Sequence, residues 1–329
     1  MSQIQRRRFL RSSGALLLAP FAAEAQQAGK VWRIGVLRPG PDDEIFRENI
    51  GPFWQELRER GFAEGKNLAI EYRVRPANLE EMLALANDLV RARVDAILAI
   101  SPSGVRAAAK ATASIPIVAN DLESDPVAEK FAANLGRPGG NVTGVFLDFP
   151  EMGGKWIQLL QEAVPKLARA AVLWDPSIGP YLLKGVEAAA SSMRVQILPL
   201  EARSPADFAG AFQAAEKQKA QALLVLSSPA FNSARKEIAE LAIKRRLPAI
   251  MPFPNFADDG GLMAYGPHLT SLFRQCGGVM AKVLQGARPA EIAIERPTRF
   301  EFAINLKTAK TLGITIAQSL RLRADRVIE

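Results

Sequence analysis

Arg33-Ile-Gly-Val-Leu-Arg-Pro39 returns later in the chain as Arg169-Ala-Ala-Val-Leu-Trp-Asp-Pro176: a basic residue, a short apolar run and a proline-bound exit. Two further phrases recur in the same order. Asp95-Ala-Ile-Leu-Ala-Ile-Ser101 parallels Gln221-Ala-Leu-Leu-Val-Leu-Ser227, and Ile115-Pro-Ile-Val118 parallels Leu247-Pro-Ala-Ile250. Apolar runs of this length, bounded by turn residues, suit strands buried on both faces. The pairs are offset by 136, 126 and 132 residues, which excludes a tandem repeat and points to two like-built lobes with loops of different length.

Working outward, further runs fall into the same alternation. The first half offers strands at Val31–Leu37, Leu68–Tyr72, Ala96–Ile100, Ile115–Ala119 and Val142–Phe146, with helical spacing over Ile45–Arg60, Leu79–Arg93 and Val105–Thr112. The second offers strands at Ala170–Trp174, Val195–Leu200, Ala222–Leu226 and Ala249–Phe253, with helices near Leu182–Ser192, Pro205–Lys219 and Ser233–Arg245. Alternation of this kind predicts an α/β fold of two doubly wound, Rossmann-like lobes joined by crossover strands. Pro138-Gly139-Gly140-Asn141 marks the first crossing, near Gly139–Gly144, and a second is expected around Gly260–Pro267. The helix His268–Gln285 and the strand Thr298–Asn305, followed by Leu306–Leu312, supply the remaining passages. The expected division is residues 31–144 with about 268–290 in lobe 1, and residues 145–265 with about 298–329 in lobe 2.

The amino terminus has three parts of an export signal: Arg6, Arg7, Arg8 and Arg11, the apolar run Gly14–Phe21, and the small-residue exit Ala23-Glu24-Ala25, with cleavage expected after Ala25. The apolar run falls far short of the roughly 20 residues that span a bilayer. Basic residues alone satisfy ordinary Sec export, whereas Arg6-Arg7-Arg8-Phe9-Leu10-Arg11 resembles a twin-arginine signal. No Cys stands at the cleavage site, so a soluble periplasmic protein is expected rather than a lipoprotein. Cys276 is the only cysteine of the 329 residues, which excludes an internal disulfide. Of the formal net charge of +8, the segment up to Ala25 carries +3, and the mild remainder lacks the basic-aromatic runs of a nucleic-acid binder.

Chemistry is narrowed chiefly by what is missing. His268 is the only histidine and follows Gly266-Pro267 at a helix start, where a capping or solvent-exposed role is expected rather than catalysis. There is no Gly-x-Ser-x-Gly elbow and no cluster of soft ligands, so no catalytic residues, metal or cofactor are expected. Asp42-Asp43-Glu44 and Asp258-Asp259 look like turn and helix-start charges, and the Gly139–Gly144 segment leads into a strand rather than cradling a phosphate.

What remains are small polar residues at the carboxyl ends of strands, where doubly wound folds bind ligands. Ser101, Ser103, Asn120, Asp121, Ser124 and Asp125 stand there in the first half, and Asp175, Ser177, Ser227, Ser228, Asn232 and Asn255 in the second. The same residue types cap helices and form turns. Phe146, Trp174, Tyr181, Phe231, Phe253 and Tyr265 are the aromatics near those ends, and Tyr265, at the second crossing, is expected to face a cleft. The ligand-binding set expected from this reading is Ser101, Ser103, Asp121, Ser124, Asp125, Phe146, Asp175, Ser228, Asn232 and Tyr265. Helix amino termini favour a carboxylate, and an acidic residue beside them suits an amino group.

Several strings carry a family resemblance: Glu64-Gly65-Lys66-Asn67-Leu68, Asp125-Pro126-Val127, Arg137-Pro138-Gly139-Gly140-Asn141-Val142-Thr143-Gly144, Gly260–Pro267, and Ile304-Asn305-Leu306-Lys307-Thr308-Ala309-Lys310. On these the chain, from Ile34 to Glu329, resembles substrate-binding proteins of ABC importers related to tryptophan and aromatic amino acid binding components. The resemblance implies a type I periplasmic-binding fold closing like a hinge on a small solute, with an ABC permease and its ATPase at the inner membrane as partners. Asn120-Asp121-Leu122-Glu123-Ser124-Asp125 departs from the family pattern, in which a small apolar residue or Gly precedes Asp-Pro-Val. A ligand-sensing module for a membrane receptor is the alternative. An exported enzyme using Asp125 and Asp175 is the third reading.

Overall fold

The computed structural model describes residues 30–75, 78–147 and 149–329, so the expected export signal lies outside the described residues. Two sheets form the frame. The first has the order β2-β1-β3-β4-β5, all parallel: β1 Trp32–Pro39, β2 Leu68–Arg75, β3 Ala96–Ile100, β4 Ile117–Asp121 and β5 Val142–Phe146. Every residue of β3, β4 and β5 is buried, the burial that helices on both faces impose.

Alternate residues serve the two faces. Leu37, Ile97, Ala99, Ile117 and Ala119 pack with α2 (Leu79–Arg91) and α3 (Ser101–Ala111), whereas Ile34, Val36, Leu98 and Val118 join the cluster containing α1 (Glu44–Glu59) and α10 (Leu269–Leu284). Asp43 caps α1 by accepting from Phe46 N at 2.8 Å, and His268 caps α10 by accepting from Ser271 N at 3.4 Å, the structural roles expected of both. Helix α10 lies almost backbone to backbone on α1, because a Cβ at Gly277 would sit 2.8 Å from Phe53 O.

The second sheet runs β12-β11-β10-β9-β8-β6-β7. Its strands are β6 Arg169–Trp174, β7 Gln196–Glu201, β8 Ala222–Val225, β9 Ala249–Met251, β10 Met263–Pro267, β11 Phe300–Asn305 and β12 Arg326–Ile328. Read as β7-β6-β8-β9-β10, five of these reproduce the order of the first sheet. The repeated phrases occupy equivalent strands and even repeat their hydrogen bonds. Arg33 N donates to Asp95 Oδ2 at 2.8 Å, and Arg169 N to Gln221 Oε1 at 3.0 Å; Ile97 N reaches Pro116 O and Leu223 N reaches Pro248 O, both at 2.9 Å. The second sheet then adds β11, antiparallel to β10, and β12.

Three differences from the sequence expectation have local causes. Strand β5 pairs with β4 along its full length, so the chain leaves the first sheet after Phe146 rather than at Gly144. The expected helix Ser233–Arg245 is present as α8 (Arg235–Lys244), and an unexpected short helix, α7 (Pro229–Ser233), precedes it, with Pro229 starting its first turn. Helix α4 (Phe149–Ala163) was not expected; it is held to β10 where Trp156 Nε1 donates to Tyr265 O at 2.7 Å. The remaining helices are α5 (Tyr181–Ser192), α6 (Pro205–Lys217), α9 (Asn255–Asp258), α11 (Leu306–Leu312) and α12 (Gln318–Arg321).

The chain passes between sheets after Phe146, after Pro267 and before Phe300. These passages are held together: Glu295 N donates to Gly144 O at 2.9 Å, Phe146 N to Glu295 O at 3.0 Å, and His268 N to Arg299 O at 3.0 Å. No helix among the described residues is long and apolar enough to cross a membrane.

Candidate functional site

The carboxyl ends of both sheets meet around one cavity with about 520 Å³ of unfilled space, its mouth included. From the first lobe come Arg38 at the end of β1, Ser101 after β3, and Asn120, Leu122 and Glu123 at and beyond the end of β4; from the second come Ser227, Ser228 and Asn232 after β8 and Phe253 after β9. Phe46 of α1 and Leu269, Leu272 and Phe273 of α10 make the wall largely apolar. A few polar groups converging in an apolar cleft between lobes is the usual form of a small-molecule site.

Arg38 is only 5% exposed. Its Nη1 donates to Pro41 O at 2.7 Å and its guanidinium lies 4.5 Å from the centre of the Phe46 ring, but among the described residues no carboxylate comes within 4.0 Å of it. Burial pulls its pKa down to about 10 against the weaker pull of Asp43 and Asp42. A buried cation without a carboxylate is poised to receive one.

Opposite in character is a pair of buried acids. Asp121, fully buried, accepts from Glu123 N at 3.0 Å and Ser124 N at 3.1 Å, and from the Ser124 hydroxyl. It is thereby spent on shaping its own loop. Glu123 lines the cavity and accepts from Leu122 N at 3.2 Å and from the hydroxyl of Ser227 in the other lobe. Burial raises the Asp121 carboxyl to about 6, and burial with the nearby Asp121 and Asp175 charges raises Glu123 to about 8.

Ser101 enters α3 directly from β3 with φ +71°, a sparsely populated conformation for a residue with a Cβ. Such strain of about 1–3 kcal/mol concentrates at binding sites. Its hydroxyl lies 3.2 Å from that of Ser103. Asn232 Oδ1 is buried in the cavity wall without a hydrogen-bond partner among the described residues.

Of the expected ligand-binding set, Ser101, Ser228 and Asn232 line the central cavity. Ser103 stands behind Ser101, and Asp121 behind Glu123. Ser124, Asp125 and Phe146 line a separate cavity near the β5 edge, where Asp125 Oδ1 accepts from Val127 N at 2.8 Å. Asp175 lies in a recess with Ser177, accepting from Ser177 N at 2.9 Å, Ser177 Oγ at 2.6 Å and Ser228 Oγ at 2.8 Å. Tyr265 faces the crossings, lining a space with Leu147, Arg296 and Phe300, with its ring against Phe300 and Phe302. Arg38 and Glu123 were not in the expected set. The available signals were Arg38 directly after the apolar run Ile34–Leu37, and Glu123 two residues beyond the end of β4. Among the described residues no group of His, Cys, Asp and Glu is arranged to hold a metal ion.

The sequence profile of ABC transporter substrate-binding proteins matches residues 43–328. A curated relative, a tyrosine-binding protein of Clostridioides difficile, is 23% identical over 277 residues, 84% of this chain and 78% of that protein. Two solved structures share the fold over 91% of this chain and 100% of theirs. One is a conserved domain protein from Vibrio cholerae, at TM-score 0.83 and 23% identity; the other is an ABC domain from Streptococcus pneumoniae in complex with L-Trp, at 0.81 and 21%. A leucine-binding protein from Thermotoga maritima shares the fold more distantly, at TM-score 0.58 and 15% identity over 78% of this chain and 83% of that one.

Proposed function

The chain belongs to the family of ABC transporter substrate-binding proteins, and from that premise we propose that it is the solute-capturing component of an importer. It takes an amino acid or a related carboxylate between its lobes and presents it to a permease driven by an ATPase. The observation that carries the choice of solute is Arg38, a buried cation in a cross-lobe cavity with no carboxylate partner among the described residues. Ser101 and the start of α3 add hydroxyl and backbone N–H donors, while Phe46, Phe253 and Phe273 suit an apolar or aromatic side chain. The tyrosine and tryptophan in the names of the relatives agree with such walls. Export through the segment ending at Ala25 would place the protein in the periplasm. The family's role is binding, so the protein is read as no enzyme.

Thermal unfolding against a panel of amino acids, their des-amino carboxylates, sugars and nucleosides tests this. A solute present at about 100 times its dissociation constant adds about 2.7 kcal/mol of stability. Amino acids or carboxylates should raise the midpoint, and Arg38→Ala should abolish the shift. A shift from sugars or nucleosides alone, unchanged by Arg38→Ala, would remove the proposal.

A further inference from the structure

Two acids two residues apart, Asp121 and Glu123, are 0% and 6% exposed, and no Lys, Arg or His among the described residues lies within 4.0 Å of either. The charged groups around them do not repair this. Arg106 of α3 acts on Asp121 from a distance but is committed to Glu129 through two hydrogen bonds, at 2.9 and 2.7 Å. Asp175, at the end of β6, adds a further negative charge facing Glu123. Arg38, on β1, lines the same cavity and turns its Nη1 to Pro41 O. A buried carboxylate without a cation is costly enough that such a site keeps its proton until a cation arrives. The second observation is independent: Asn232, 8% exposed and on the opposite lobe, lines the same cavity, and its Oδ1 is a buried acceptor without a donor among the described residues. Two residues that line one space, each offering acceptors and one of them acidic, ask for a ligand group that has several N–H donors and a positive charge.

We propose that Glu123 and Asn232 form the seat of a protonated amino group on the solute, and that filling the seat drives the proton of the Glu123 carboxyl into solvent. The inference rests on the cavity being the solute site. The ammonium keeps its own protons and donates to Glu123 and Asn232 Oδ1, while the carboxyl loses one proton to become its counter-ion. The Ser227 hydroxyl donates to Glu123 from the second lobe, so the new ion pair forms where the lobes touch. The seat therefore selects amino acids over carboxylates that lack the amino group.

The test is calorimetric titration of the full chain at pH 7 in two buffers of different ionisation heat. The probes are the L-amino acids and, for the best binder, its des-amino analogue. Expected are release of about one proton per bound amino acid and at least tenfold weaker binding of the analogue. Glu123→Gln, close to isosteric and checked for folding by its thermal midpoint, should lose the proton release and bind at least tenfold more weakly. Asn232→Ala should weaken binding but keep the release. Equal release from Glu123→Gln, no release from wild type, or an analogue bound as tightly as the amino acid would overturn the proposal. If only carboxylates without an amino group bind, the site reading stands and the ammonium seat falls. If no carboxylate of either kind binds, the site reading falls and takes the seat with it.

Discussion

The two lobes share a strand order, equivalent hydrogen bonds at their strand starts and a Pro at the same point before the fourth strand, yet they load their carboxyl ends differently. The first lobe carries the charges, Arg38 and Glu123, whereas the second contributes Ser227, Ser228, Asn232 and Phe253. Their buried acids differ as well. Asp175 is satisfied inside its own lobe by the Ser177 amide and the hydroxyls of Ser177 and Ser228. Glu123 has one of its own loop's amides and a hydroxyl borrowed from across the cleft. A fold copied twice thus keeps its frame in the interior and its chemistry at the strand ends, where side chains meet a ligand rather than the sheet.

The frame's shared feature gives the largest expected effect. Each lobe is left through a strand with a glycine pressed on the neighbouring backbone: a Cβ at Gly144 would lie 2.1 Å from Ala119 O, and one at Gly266 would lie 2.1 Å from Pro252 O. Gly144→Ala and Gly266→Ala should each cost more than about 3 kcal/mol in denaturant unfolding, above the ordinary range for single substitutions. Gly144→Ala should be the worse, because its φ of +134° is strained for any other residue. Wild-type stability in either variant would break the equivalence drawn between the two exits.

A smaller effect separates the two kinds of buried acid. Folding raises the Asp121 and Glu123 carboxyls from 3.8 and 4.5 to about 6 and about 8. The folded state then binds more protons than the unfolded chain between those limits, so this contribution is full below pH 4 and is lost as pH rises through about 8. One such group changes stability by at most about 1.4 kcal/mol per pH unit. In the absence of solute, the stability of wild type relative to Glu123→Gln should fall between pH 5 and pH 8, as measured by urea midpoints. A flat difference would mean that Glu123 is already ionised and paired.

Much of the frame was legible in the sequence, because buried parallel strands must be apolar runs: Ala96–Ile100 and Val142–Phe146 were read to the residue. Helix α4 was not, since its Gly153-Gly154 pair weakens the helical pattern, and Gly153 serves close packing against the Val186 backbone. The two short terminal elements, α12 and β12, were also missed, being four and three residues long. Strand-end serines were found by position, but position does not say which way a side chain turns. Ser101 and Ser228 face the central cavity, while Asp125 and Phe146 line another. The departure from the family string at Asn120–Asp125 held the strongest unread signal, because Glu123 lies within it.

The finest distinction lies between two adjacent serines. Ser228 works within its lobe: its hydroxyl donates to Asp175 at 2.8 Å and accepts from Ala230 N at 3.2 Å, capping α7. Ser227 works between lobes, donating to Glu123. Ser228→Ala should therefore lower stability by about 1–2 kcal/mol, the cost of a lost cap and an under-satisfied buried acid. Ser227→Ala removes a contact that exists only while the lobes meet, so its effect on global unfolding should be well under 1 kcal/mol. Small-angle scattering of the solute-free protein should instead show a larger radius of gyration, as the population moves toward separated lobes. If Ser227→Ala destabilises as much as Ser228→Ala and leaves the radius unchanged, the Glu123–Ser227 contact is part of a fixed interface rather than a latch, and the two lobes behave as one body.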